Sequence, residues 1–323
     1  MIDVPTLFIL GAGASKPYGY PTGIELRSEI IRNFSSEIED LLTKSLLIHP
    51  QRVSHQRQAK EFLEHFSRSP VDSIDKYLAL NPNFSYIGRI AITLCILKNE
   101  KTSKFLEDMD PPGSNEDWYR LIFNRMTTTL KLPEDFMKFR ENKIAFITYN
   151  YDRSLEYFLY DSFYHTFWQS RNDSKFLMTE CIPFPIIHVY GQVAELSPLS
   201  WPDESNYRED FNYLKEVEKL SEGVRVIGER SDNMKDKVKE LIADYKRIFF
   251  LGFGYASDNL DTLDLPMAID DDWDVYGTAK GMTEKEIGNV KSLFVRNFKN
   301  KMLAMVKPRI ENKNSYELLR EYL

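Results

Sequence analysis

The residues best suited to chemistry fall into four short clusters. Gly11-Ala12-Gly13-Ala14-Ser15 follows the apolar run Thr6-Leu7-Phe8-Ile9-Leu10. Glycines let a backbone approach a pyrophosphate, and helix N-terminal amides with the Ser15 hydroxyl would supply donors. As a dinucleotide fingerprint the segment is incomplete, because Lys16 stands at the third-glycine position. No strand follows to place a ribose-binding carboxylate about twenty residues on, which disfavours hydride transfer. The same residues also suit a tight strand-to-helix turn that binds nothing.

Thr148-Tyr149-Asn150-Tyr151-Asp152 closes a second apolar run, Ile144 to Thr148. Ligands of parallel sheets sit outside the carboxyl ends of the strands, so the Asn150 amide is placed to hold a water or a ribose hydroxyl. Asp152 reads mainly as a helix cap at the border of that site. In His188-Val189-Tyr190-Gly191, residues i and i+2 of a strand share a face, so His188 and Tyr190 are expected to point the same way. A lone histidine in an apolar strand equally suits the core. Leu251-Gly252-Phe253-Gly254-Tyr255 ends another apolar run, where Gly252 and Gly254 would permit close backbone approach to a ligand. Asp258 or Asn259 would cap the helix beyond. Tyr276-Gly277-Thr278-Ala279 repeats the pattern of strand followed by glycine.

Stepping outward, strands are expected at 6–10, 144–148, 185–190, 224–227, 247–251 and 274–276. Helices are expected after Pro21, at 152–160, within 203–221, near 233–245, at 283–296 and at 313–323. Strands alternating with helices predict an α/β fold, a Rossmann-like parallel sheet with helices on both faces. Residues 36–135 read as helix and loop, broken at Pro111-Pro112-Gly113-Ser114-Asn115, and are expected to form an inserted helical subdomain. The nucleotide-binding domain would then comprise 1–35 and 136–323. The C-terminal helix would pack on this body or serve assembly.

Composition narrows the function. A formal net charge of −7 over 323 residues argues against a broad nucleic-acid surface. The two cysteines, Cys95 and Cys181, are too few for a disulfide scaffold or a thiolate zinc site. The first residues lack the pattern of a signal peptide and no apolar run reaches membrane-span length, so a cytoplasmic location without a membrane partner is expected. Metalloprotease, zinc-ribbon, phosphate-loop and serine-elbow motifs are absent.

Together, and in this order along the chain, the four clusters resemble the sirtuin-like NAD-hydrolase domains of bacterial anti-phage defence proteins. Gly11-Ala12-Gly13-Ala14-Ser15 looks like that family's first βα turn. Thr148-Tyr149-Asn150-Tyr151-Asp152 is similar to its Thr-Thr-Asn-Tyr-Asp signature, and Leu251-Gly252-Phe253-Gly254 to its late glycine turn. The resemblance runs from about residue 6 to 280 and includes the helical insertion. It implies metal-free hydrolysis of NAD to nicotinamide and ADP-ribose with Asn150 catalytic, and His188, expected on the same strand face as Tyr190, is read as the catalytic histidine. Gly11, Ala12, Gly13, Ser15, Asp152, Tyr190, Gly252 and Gly254 would line the NAD site. It also implies a homo-oligomer or a partner ATPase. The family usually carries its histidine directly before the glycine, where this chain has Tyr190. The alternative reading is a non-catalytic NAD or ADP-ribose sensor, or an assembly subunit of such a defence complex.

Overall fold

The computed structural model describes residues 1–45, 49–102, 115–167, 181–194, 196, 214–226, 232–263, 273–296 and 308–323. Its centre is set by strands that cannot face water on either side. β1 (Thr6–Leu10) and β2 (Ile144–Thr148) are buried at every position, as a parallel strand covered on both faces must be. β3 (Ile186–His188), β4 (Arg247–Leu251), β5 (Asp274–Thr278) and β6 (Arg309–Glu311) complete one six-stranded, all-parallel sheet in the order β3-β2-β1-β4-β5-β6. This is the doubly wound order, in which the chain changes direction across the sheet between β1 and β4.

In-register aromatics bind the strands side by side. Phe8 stacks on Phe146 at 5.1 Å and on Phe249 at 5.6 Å, and Phe249 stacks on Tyr276 at 4.8 Å. The row ends on Tyr322, 4.7 Å from Tyr276. Tyr322 belongs to the C-terminal helix, whose Leu318 and Leu319 are fully buried. That helix therefore belongs to the core, and its position offers no projecting arm for assembly.

Helices fill the long connection from β1 to β2. A one-turn helix α1 (Ala12–Ser15) runs into a 3-10 turn at Lys16–Tyr18, which Gly19 ends in the left-handed conformation. The long helix α2 (Gly23–Lys44) starts only at the Thr22/Glu25 capping box. Its buried face, Leu26, Ile30, Phe34 and Ile38, packs against α3 (His49–Arg68) and α5 (Ser85–Lys101). α4 (Ile74–Leu80) and α6 (Trp118–Thr127) complete the layer. The boundary expected at residue 36 falls inside α2, which is uninterrupted there. The expected break at 111–115 lies outside the described residues except for Asn115.

Later helices are α7 (Ser154–Thr166), α8 (Leu214–Ser221), α9 (Asp232–Ala243), α10 (Ser257–Leu263), α11 (Glu284–Arg296) and α12 (Ser315–Tyr322). Two sequence expectations fail. Val224 makes only an isolated antiparallel bridge to Gly191, so the described residues 224–226 form no sheet strand (Ile227 lies outside the described residues), and β6 was not anticipated. Among the described residues no helix is long and apolar enough to cross a membrane.

Candidate functional site

The turns after β1 and β4 meet backbone to backbone at the point where the strand order reverses. The Gly11 amide donates to the Leu251 carbonyl and the Gly13 amide to the Gly252 carbonyl, each at 3.0 Å. A Cβ on Gly11 would lie 2.6 Å from the Gly252 carbonyl oxygen. Gly252 has φ +55°, and a Cβ there would sit 2.0 Å from the Ala14 nitrogen. These glycines thus have a packing reason of their own, and two amides expected to face a pyrophosphate are engaged by β4. Gly254 differs: it is exposed, and a Cβ there would meet nothing within 4 Å. Ala12 and Gly13 are half-buried.

From β2 a polar chain runs back under the first turn. Asn150 Nδ2 donates to Ser15 Oγ at 2.9 Å, and Ser15 Oγ donates to Asp152 Oδ1 at 3.3 Å. Asp152 Oδ1 also accepts from the Ser154 amide at 3.1 Å and from the Ser154 hydroxyl. Burial lifts the Asp152 carboxyl above the usual carboxylate range, against the lowering pull of the Ser154 and Ser15 hydrogen bonds. Tyr119 Oη pairs with Ser154 Oγ at 2.8 Å, and Trp118 Nε1 donates to the Ala14 carbonyl at 2.8 Å. α6 therefore braces both turns. Asp152 caps α7 as read from sequence, while holding Ser15 against Asn150.

Within this hydrogen-bonded network a buried acceptor is left unsatisfied. Asn150 Oδ1 is buried and has no hydrogen-bond partner. A buried acceptor left so costs roughly 1–3 kcal/mol, and a ligand hydroxyl or a water would complete it.

His188 reaches the same residue from the other side, through its backbone. Its Nδ1 lies 2.9 Å from the Asn150 carbonyl, which can only accept, so Nδ1 carries a proton. Its Nε2 lies 2.6 Å from Glu156 Oε1 on α7, and both side chains are 6% exposed. Burial disfavours the imidazolium, but Glu156 and the Asn150 carbonyl outweigh it and raise the His188 pKa above its ordinary value. An imidazolium donating from both nitrogens has no lone pair for a general base. Its place in the structure is to tie the end of β2 to α7.

Tyr190 does not share the histidine's face. β3 stops at His188, so period-two alternation ends before Tyr190. The tyrosine turns toward β4, donating to Asn259 Oδ1 at 2.8 Å and lying edge-on to Tyr149 at 5.7 Å. Tyr149 in turn donates to the Asn259 carbonyl at 2.8 Å and meets Phe253 at 5.1 Å. Tyr149, Tyr190, Phe253 and Asn259 form a largely aromatic cluster across the ends of β2 and β4, with the three rings buried.

The helical layer also touches this end of the sheet. Tyr151 bonds Asp75 of α4, and Lys76 pairs with Asp258 of α10 at 3.0 Å. Next to Asp152, Arg153 forms a fully buried bidentate pair with Glu100 of α5, at 3.0 and 2.8 Å. The insertion therefore holds the strand-end loops in place.

Of the candidates, Gly11, Gly13, Ser15, Asn150, Asp152 and Gly252 are brought together, and His188 joins them through the Asn150 backbone. Tyr190 lies with Asn259, and Gly254 faces open space. Glu156 and Asn259 are the partners that sequence reasoning missed. Among the described residues, no group of three or more His, Cys, Asp or Glu side chains is arranged to hold a metal. No protein-family model and no curated protein matches the chain.

Proposed function

We propose that the chain binds NAD at the β1/β4 reversal and hydrolyses its nicotinamide–ribose bond. The observation that carries this reading is the buried, partnerless Asn150 Oδ1 at the carboxyl end of β2. The doubly wound order and the resemblance of the four clusters support it. In the reaction water adds to the ribose carbon as nicotinamide leaves with the bonding electron pair, giving ADP-ribose and a proton. The breaking bond passes through an oxocarbenium-like state, so positioning and charge stabilisation are the protein's main tasks. Asn150 Oδ1 accepts a hydrogen bond from the ribose or from the attacking water. Ser15 and Asp152 hold the Asn150 amide, and His188 with Glu156 holds its backbone. The dinucleotide lies over Ala12, Gly13 and Gly254, with the buried cluster of Tyr149 and Tyr190 behind the ends of β2 and β4.

A second reading, a nucleotide sensor without turnover, is favoured by one observation: both nitrogens of His188 are engaged. Calorimetric titration with NAD and with ADP-ribose, paired with detection of nicotinamide, separates the two. Binding with release of nicotinamide supports hydrolysis, and binding without release supports the sensor. Absence of binding contradicts both.

A further inference from the structure

A cleft of about 450 Å³ opens at the outer edge of β3, within the size range of small-molecule sites. Tyr160, Ile182, Phe184 and Ile186 supply apolar and aromatic lining, and Glu156, His188 and Gln192 supply polar side chains. None of Gly11, Gly13, Ser15, Asn150 and Gly252 lines it, so it is separate from the strand-reversal site. Glu156 is 5% exposed, and while Oε1 accepts the hydrogen bond from His188 Nε2, Oε2 is buried with no partner.

The buried carboxylate oxygen beside this cleft lacks a donor, and leaving it so is unfavourable. Its charge is already balanced by the adjacent imidazolium, so the missing group need not be a cation. An anion would meet the carboxylate and be rejected. The slot's aromatic and branched lining favours a flat apolar body over a flexible polar one.

We infer that this cleft binds a planar amino-substituted heteroaromatic ring of nucleobase size, its exocyclic N–H donating to Glu156 Oε2. The cleft shares the Glu156–His188 pair with the strand-reversal site, but adenine binding is read without NAD turnover, so failure of one reading is distinguishable from failure of the other. Occupancy would leave the His188 bond to Asn150 intact, since only the second Glu156 oxygen is used.

Adenine and purine are suitable probes, because they differ only in the exocyclic amino group. Isothermal titration of the full chain should give saturable one-to-one binding of adenine, with purine at least about tenfold weaker, as expected for loss of a hydrogen bond to a charged acceptor. Glu156→Gln should weaken adenine by a similar factor. Ile186→Trp, which fills the slot and leaves the Glu156–His188 pair in place, should abolish binding while circular dichroism remains native. Ile186 is half-buried on an edge strand, so this variant keeps the test valid if Glu156→Gln fails to fold. Three results would each overturn the inference: no saturable adenine binding to the wild type, equal affinity for purine, or undiminished binding by folded Ile186→Trp.

Discussion

Replacing His188 with leucine leaves Glu156 as a buried carboxylate with neither oxygen paired, and removes the donor to the Asn150 carbonyl. Breaking one side of a buried pair costs about 3–5 kcal/mol, because the remaining charge has neither water nor a partner. Replacing both members with leucine removes that charge, so His188→Leu/Glu156→Leu should recover to within about 1 kcal/mol of wild type. The pH dependence follows from the raised His188 pKa. The stabilisation is complete below the unfolded value of about 6.5 and is lost as pH rises through the higher folded value. The stability gap between wild type and His188→Leu should therefore narrow toward alkaline pH. Urea unfolding of wild type, His188→Leu, Glu156→Leu and the double variant across that range measures both effects. Additive single and double variants within about 0.5 kcal/mol would refute the pairing. So would a His188→Leu protein as stable as wild type, which would return His188 to the role of a free base.

Three other perturbations test neighbouring parts of the account. Gly252→Ala should destabilise by roughly 2 kcal/mol or more, because it combines positive φ with a backbone clash. Gly254→Ala should leave stability within about 0.5 kcal/mol yet weaken NAD binding; equal unfolding midpoints for the two variants would contradict the described turn geometry. Asn150→Ala loses one hydrogen bond to Ser15, worth about 1 kcal/mol, but should lower NAD turnover at least about a hundredfold. A variant that melts far below wild type would mark Asn150 as structural. Light scattering and specific activity over a dilution series test assembly: the account expects an oligomer whose turnover changes on dissociation, and a monomer of constant specific rate would contradict it.

Much of the sheet was readable because its central strands are short apolar runs ending in glycine or polar turns. β6 was not, since Arg309-Ile310-Glu311 offers one buried apolar residue and takes its place from pairing with β5. Val224 to Ile227 has strand-forming residues, yet Val224 finds only a single bridge to Gly191. The helical boundary at 36 was misplaced because α2 keeps its apolar stripe from Leu26 to Leu42 without a breaker. Within the site, Asn150, Ser15 and Asp152 could be chosen from residue type and position at strand ends. What could not be read was how each is held. The partnership of His188 with Glu156 joins two elements whose contact depends on how α7 returns over β2 and β3. The His188/Tyr190 prediction failed for a local reason, since alternation holds only while the strand lasts. Gly11, Gly13 and Gly252 were read as room for a ligand, whereas each makes room for the opposing turn.

The most direct test of the proposed activity is a chromatographic time course of NAD incubated with wild type and with folded Asn150→Ala. The account predicts nicotinamide and ADP-ribose appearing in equal amounts with the wild type, and release at least about a hundredfold slower with the variant. Intact NAD after incubation with folded wild-type protein, or unchanged release by Asn150→Ala, would contradict it.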